Sequence, residues 1–393
     1  MTIPLFALIA FAPEPQFIVR LQPNVDAVAV AAKTGLTLRD TTPDAPFALF
    51  AVTSGSARRA YRRLMADRDE VVWAQFNEDA QSPETTGIRG APAQKGSSLS
   101  VIGSRDDLVA QNQNVLAQVD WSPDLAASSG RTVRLAILDN GLSRKQAGLW
   151  EKVDASMDIS GGDADDAEMG IDSDGNGVPD EAVGHGTMVA GLADTVAPQV
   201  RLIIAKIADS DGRATAWSVV RGLAFAVNSG AEIANLSLGS PRPFAAYNGV
   251  ADWCDDNGLL VVAAIGNAGE DHAWYPARSR RTLSVAGLNS DDTKALFSNW
   301  DSGDDSSAAA VGLTSQWWDG CMGTWSGTSF SSPIVAAGLA DCLRRTNPRP
   351  IRSLIRAVNS SGRNVDLLNP GYEGKIGTVL DIVALDRFLQ GQP

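Results

Sequence analysis

Hydrophobic and polar positions fall into two regimes along this 393-residue chain. From residue 17 to 76 the segments are short and mixed. Phe17-Ile18-Val19-Arg20-Leu21 reads as a strand, and residues 24–34 are Ala/Val-rich and helical, with Gly35 as the natural stop. Residues 36–40 and 47–52 read as strands, 54–66 carry Ala, Arg, Leu and Met at helical spacing, and 71–76 close with a strand. The order β-α-β-β-α-β predicts a small ferredoxin-like α+β domain. From about residue 106 to 393 the pattern changes to unbroken apolar runs: 132–138, 201–207, 231–237, 259–265 and 282–287. Such runs suit parallel strands covered on both faces. Helical segments at 186–194, 215–229 and 246–257 separate them. The fold class predicted here is α/β, a doubly wound, mostly parallel sheet.

Between the regimes, Ser82-Pro83, Gly87, Gly90, Ala91-Pro92 and Gly96-Ser97-Ser98 mark an exposed linker of the kind that proteolysis finds first. The expected division is a leader over 1–13, a small domain over 14–80, a linker over 81–105 and a large domain over 106–393. The leader holds an apolar run ending Ala10-Phe11-Ala12, which has the form of a signal segment with an A-x-A site but lacks a basic start. Export, to the cell envelope or beyond it, and a plain lead-in to the first strand both remain open. No run reaches the ~20 apolar residues of a membrane span.

Composition narrows the function classes. With 33 Lys and Arg against 46 Asp and Glu, the net charge of −13 disfavours a nucleic-acid partner, which needs a basic footprint. The three cysteines, Cys254, Cys321 and Cys342, form no Cys-x-x-Cys pair, so a structural zinc site is not expected. A Cys321–Cys342 bridge is conceivable, but free thiols are the better expectation. There are only two histidines, His185 and His272.

Four short stretches carry candidate chemistry. The run 132–138 ends in Asp139-Asn140-Gly141, placing an acid at the C-terminal end of a strand, where such sheets bind ligands. Gly184-His185-Gly186-Thr187 sets an imidazole between glycines that allow close approach. Asn267 follows a buried strand between Gly266 and Gly269, where its amide can serve a developing oxyanion. Ser329, in Gly327-Thr328-Ser329-Phe330-Ser331-Ser332-Pro333, begins an Ala/Gly-rich helix. Each stretch alone also fits an ordinary turn or helix cap. A serine hydroxyl needs a base within reach to act as a nucleophile. His272 lies in the polar stretch Glu270-Asp271-His272, so His185 is the expected base.

In this order, LAILDNG, GHGTMVAGL, NLSLGS, AAIGNAG and GTSFSSPIVAAGLA resemble the signature blocks of subtilisin-like serine peptidases, from about residue 115 to 345. The order Asp, His, Ser agrees. The resemblance implies a serine endopeptidase with Ser329 as nucleophile, His185 as base, Asp139 orienting the base and Asn267 serving the oxyanion. It implies extended polypeptide substrates, paired by β-strand addition along Ser237, Leu238 and Gly239. Ala264, Ile265 and Gly266 would wall the main specificity pocket. Residues 14–80 resemble that family's propeptide, a folding template and intramolecular inhibitor. Asn140 stands where the family usually has Ser or Thr. No cofactor for the chemistry is implied. Rival readings are a catalytically silent peptide binder and a calcium-dependent structural module.

Ten carboxylates and no Lys or Arg lie between Asp154 and Glu181. Within them Asp172, Asp174, Asn176 and Asp180 alternate oxygen ligands as in the first half of an EF-hand-type loop, with Val183 where the bidentate glutamate would be. A structural Ca²⁺ ion is expected there, with a solvated acidic insertion as the alternative.

Overall fold

The structure, a computed structural model, describes residues 14–84, 96–159, 162–167, 169–242, 245–301 and 306–391. The leader at 1–13 and the central part of the linker, 85–95, lie outside the described residues. The chain forms two compact units, one ending at Glu78 and one beginning at Asp79.

In the first unit the strands Gln16–Leu21, Thr37–Thr41, Phe47–Ala51 and Val71–Phe76 form an antiparallel sheet, with the last strand and Phe47–Ala51 on either side of the first. Helices Ala27–Thr34 and Ala57–Ala66 supply the crossovers, which gives the β-α-β-β-α-β order expected from the pattern. Asp26 caps the first helix by accepting from the Val28 N–H, and Gly35 ends it in the left-handed region at φ 70°. Val30, Ala31, Ala60 and Leu64 cover a face made by Phe17, Val19, Ala48, Phe50 and Ala74.

The second unit is organised by an eight-stranded sheet in which every pairing is parallel. Its order is Thr378–Val379, Ser306–Ala309, Thr282–Leu288, Leu260–Ala264, Ile233–Leu236, Arg134–Asp139, Arg201–Lys206, Val153–Asp158. The five strands predicted from apolar runs are contiguous and lie inside it. The three that the pattern missed are the outer ones. From Arg134–Asp139 the chain winds to one side through Val153–Asp158 and Arg201–Lys206, then crosses to the other side. Asp139 therefore ends a strand at the switch point, where open α/β sheets hold ligands.

Two helices set the depth of the core. Thr328–Leu343 is buried at all of its positions, and His185–Val196 packs against it. A helix apolar on every side belongs inside. Both helices are also tight against the elements around them: a methyl added at Gly191 would lie 2.0 Å from Gln316 Oε1, and one at Gly338 would lie 2.8 Å from Leu380 Cδ2. The hydroxyls in the first turns are satisfied, Ser331 Oγ by the Ala309 carbonyl and Ser332 Oγ by Asn235 Oδ1. Cys254 and Cys342 are buried and Cys321 partly so, and all three are free thiols.

Leu339, in the middle of the buried helix, is 0 % exposed. Leu339→Ala is expected to cost about 2–5 kcal/mol, read as a lower midpoint in urea or thermal unfolding; an unchanged midpoint would contradict this packing.

Candidate active site

The carboxyl edge of the parallel sheet brings the four chemistry-bearing stretches together. Asp139 is the last residue of its strand, and its Oδ1 accepts from the Asn140 N–H at 2.9 Å and from His185 Nδ1 at 2.7 Å. His185 is the first residue of its helix, preceded by Gly184 at φ 89°. Both groups are sealed from solvent. Asn140 joins the two stretches: its Oδ1 accepts from the Gly186 N–H at 2.8 Å, and its Nδ2 donates to the Ala182 carbonyl. Trp325 meets the imidazole edge-on, with ring centroids 5.4 Å apart, and Phe330 lies at 5.2 Å.

Ser329 lies in the first turn of the buried helix, and its Oγ is 2.9 Å from the Ser237 carbonyl. Ser237 Oγ in turn donates to the Ser329 carbonyl at 2.7 Å, so the strand exit at 237 and the helix start at 329 fix each other. Asn267 is oriented by the same helix start. Its Oδ1 accepts from the Thr328 N–H at 2.9 Å and the Thr328 hydroxyl at 2.8 Å, which leaves Nδ2 to point into the site.

A residue that sequence reasoning missed completes the cluster. Glu84 is 4 % exposed, and its Oε1 accepts from Asn267 Nδ2 at 2.8 Å. Its Oε2 accepts from Ser329 Oγ at 2.7 Å and faces His185 Nε2 at 3.2 Å. Hydroxyl and imidazole thus converge on the same carboxylate oxygen. Burial works against a charged ring, but the Asp139 carboxylate and then Glu84 outweigh it and hold the His185 pKa up, to about 10. With carboxylates at both nitrogens the ring is an imidazolium in this arrangement.

The residues expected to meet a substrate lie around this cluster. Leu238 is buried, and Gly239 exchanges two main-chain hydrogen bonds with Gln81, at 3.0 and 2.9 Å. Ala264 and Ile265 are buried, and Gly266, at φ 109°, lies against Trp274 and Asn299 with no room for a side chain. His272 is apart from the cluster, a third exposed and 3.3 Å from Glu270 Oε2.

In the acidic insertion the structure redraws the expected ligand set. Asp172 and Asp174 come together with Asp211, not with Asp180, and carboxylate oxygens of the three lie within 4.8 Å of one another. Asp180 turns away to receive the N–H groups of Met169, Gly170 and Ile171 and the Ser210 hydroxyl. Asn176 donates to Asp174 and Glu181, and its Oδ1 is taken by the Val178 N–H. The donor set Asp172, Asp174 and Asp211 is all oxygen and fits a hard cation.

The same insertion delivers Asp166, a second residue that the sequence did not single out. It is 1 % exposed, and it accepts from the Gly184 N–H at 2.9 Å and the Thr187 N–H at 3.3 Å, bracketing His185. Burial pushes its carboxyl up to about 7 against those donors, and the Asp139 charge adds to the rise. An acid raised from an unfolded value of ~3.9 stabilises the fold fully below that pH, and the contribution is lost as pH rises through about 7. Asp166→Asn removes this titration. Its unfolding midpoint relative to the parent should therefore improve from pH ~4 to ~8, on the order of 1 kcal/mol or more; a pH-independent difference would contradict the burial of an ionisable Asp166.

Comparison with known proteins adds an independent line. Residues 130–360 match the model of the Subtilase family. Subtilisin BL from Lederbergia lenta is 33 % identical over 229 residues, covering 56 % of this chain and 79 % of that protein. M-protease from Shouchella clausii is 32 % identical over 256 residues, 62 % of this chain and 63 % of its own length. Among solved structures, a cold adapted subtilisin-like serine proteinase aligns at 25 % identity and TM-score 0.56, over 65 % of this chain and 90 % of that one. Fervidolysin from Fervidobacterium pennivorans, a keratinolytic enzyme related to subtilisin, aligns at TM-score 0.72 over 95 % of this chain and 61 % of that one. At 17 % identity this last likeness speaks for the fold alone.

Proposed function

Because the chain belongs to the subtilase family and is a serine endopeptidase, we propose that Ser329 is its nucleophile, His185 its general base, Asp139 the group that orients the base and Asn267 the oxyanion donor. The observation that carries this is the Glu84 carboxylate, one small planar anion contacted at once by Ser329 Oγ, His185 Nε2 and Asn267 Nδ2. A tetrahedral intermediate presents an anionic oxygen to the same surroundings.

The steps follow from the positions of the groups. With the ring neutral, Ser329 Oγ gives its proton to His185 Nε2 as the oxygen attacks the peptide carbonyl carbon. The negative charge that develops on the carbonyl oxygen is met by the Asn267 amide, held ready by Thr328 and needing no rearrangement. Asp139 keeps the proton on Nδ1, so Nε2 is the nitrogen free to take and return one. Collapse breaks the C–N bond while His185 protonates the departing amine. Water then attacks the acyl-Ser329 ester, loses a proton to His185, and the ester oxygen regains one. The substrate backbone would lie as a strand between Arg213–Thr215 and Gly239, and Ala264, Ile265 and Gly266 would form the wall that meets its side chain at the cut.

We further propose that the chain is a self-processing proenzyme in which residues 14–80 act as propeptide. The ferredoxin-like order of that unit supports this, as does the strand Asp79–Gln81, which already lies against Arg213–Thr215. Export would follow from the same reading; among the described residues no helix is long and apolar enough to cross a membrane. A catalytically silent peptide binder is the weaker reading, because no catalytic group is missing.

Ser329→Ala is expected to abolish hydrolysis of casein, labelling by a fluorophosphonate and shortening of the chain in mass spectra. Asn267→Ala should retain labelling but lose about 10²–10³ in turnover. Labelling or self-shortening that persists in Ser329→Ala would overturn the assignment. Asp172, Asp174 and Asp211 are proposed to hold a structural Ca²⁺ ion, so EGTA should lower the unfolding midpoint of the parent and leave Asp211→Asn unmoved; equal midpoints with and without EGTA in the parent would remove the ion from the account.

A further inference from the structure

The chain leading into the site begins like a substrate and ends unlike one. Asp79–Gln81 runs antiparallel to Arg213–Thr215, with Gln81 opposite Arg213 and Asp79 opposite Thr215. On its other side Gln81 donates to and accepts from Gly239, and the Ser82 N–H donates to the Gly212 carbonyl at 2.9 Å. Pro83, next along, has no N–H to add to this ladder. From this segment, the side-chain carboxylate of Glu84 reaches Ser329 Oγ. Gly327 makes the space for it: a Cβ there would lie 1.9 Å from Glu84 Oε1.

A carboxylate in this position disables the site in two ways. The Ser329 hydroxyl donates its proton to Glu84 Oε2 instead of to His185, and Nε2 faces the same anion and so is held protonated, with no lone pair to act as base. The group is itself inert, since a resonance-stabilised carboxylate carbon is a poor electrophile and Oε1 already fills the place of the oxyanion beside Asn267.

We propose that Glu84 is a self-inhibitory plug: its segment docks as a substrate strand, and its side-chain carboxylate occupies hydroxyl, imidazole and amide together, holding the chain inactive until Glu84 withdraws. This rests on the catalytic reading of Ser329, His185 and Asn267, and it assigns the inhibition at the nucleophile to one side chain. A residue recognised for cleavage and a residue that blocks cleavage predict opposite effects of removing it.

The test follows the rate at which a tagged fluorophosphonate labels the intact full-length chain, resolved by mass, at pH ~8. Compared are the parent, Glu84→Gln, Glu84→Ala and Gln81→Pro, with folding checked by circular dichroism. Both Glu84 variants should label faster than the parent by about tenfold or more, the factor carried by one charge-assisted hydrogen bond, and should shorten themselves sooner. Gln81→Pro, which loses the N–H bonded to Gly239 but keeps Glu84, should accelerate in the same direction by loosening the segment. Equal or slower labelling in the Glu84 variants overturns the plug, as does acceleration confined to Gln81→Pro, which would make the strand rather than the carboxylate the inhibitor. Labelling absent from every variant, or retained after Ser329→Ala, overturns instead the catalytic reading beneath it.

Discussion

The constraint on which the structure depends is the burial of two helix beginnings at the carboxyl edge of one parallel sheet. Thr328–Leu343 can lie inside the unit because it is built largely of small and apolar residues, and His185–Val196 packs beside it while its Gly191 makes room for Gln316. Once both are in place, Ser329 and His185 are delivered to the same point by the core, not by loops of their own. Asp139 and Asn267 arrive from strand ends on the same edge. Precision at the site is thus inherited from packing density, and a side chain on a rigid element is held more closely than one on a loop.

The second constraint is electrostatic. Three buried carboxylates surround a single imidazole, and each is accommodated differently. Asp139 is bonded to Nδ1 and to a backbone N–H. Asp166 takes backbone donors on either side of the histidine and is nevertheless driven toward neutrality by burial. Glu84 is tolerated only because hydroxyl, amide and imidazole all turn to it. Buried charge persists where hydrogen bonds and opposite charge offset the lost water, and for Asp139 both bonds fall on Oδ1. The cluster proposed to perform the chemistry is therefore also the one that holds a carboxylate of its own sequence.

How much of this was legible in the sequence follows from how local each signal is. Asp139, His185, Asn267 and Ser329 could be found because each lies in a short stretch whose glycines, strand end or helix start is visible in the chain itself. The inner strands were legible because both faces are covered, which forces an unbroken apolar run. Val153–Asp158 was not, since an edge strand with a half-exposed pattern carries no such run, and Ser306–Ala309 is buried yet made of serine and alanine. Glu84 was hidden for another reason: Ser82-Pro83-Glu84 reads as linker, and only the pairing of Asp79–Gln81 with residues more than a hundred positions away carries it into the site. In the acidic insertion the alternating carboxylates were visible, but their division of labour was not. Asp180 serves three backbone N–H groups, Asp211 comes from a different loop, and Asp166 is distinguished only by its burial.

With only two histidines in the chain, ¹⁵N-imidazole NMR over a pH series reports most directly on the convergence at the centre of the account. The expected result is a His185 signal whose Nδ1 keeps its proton throughout, whose titration lies far above the ordinary ~6.5, and which moves toward that value when Asp139 is replaced by Asn. A His185 that titrates as an ordinary solvent-facing imidazole, indifferent to Asp139, would contradict it.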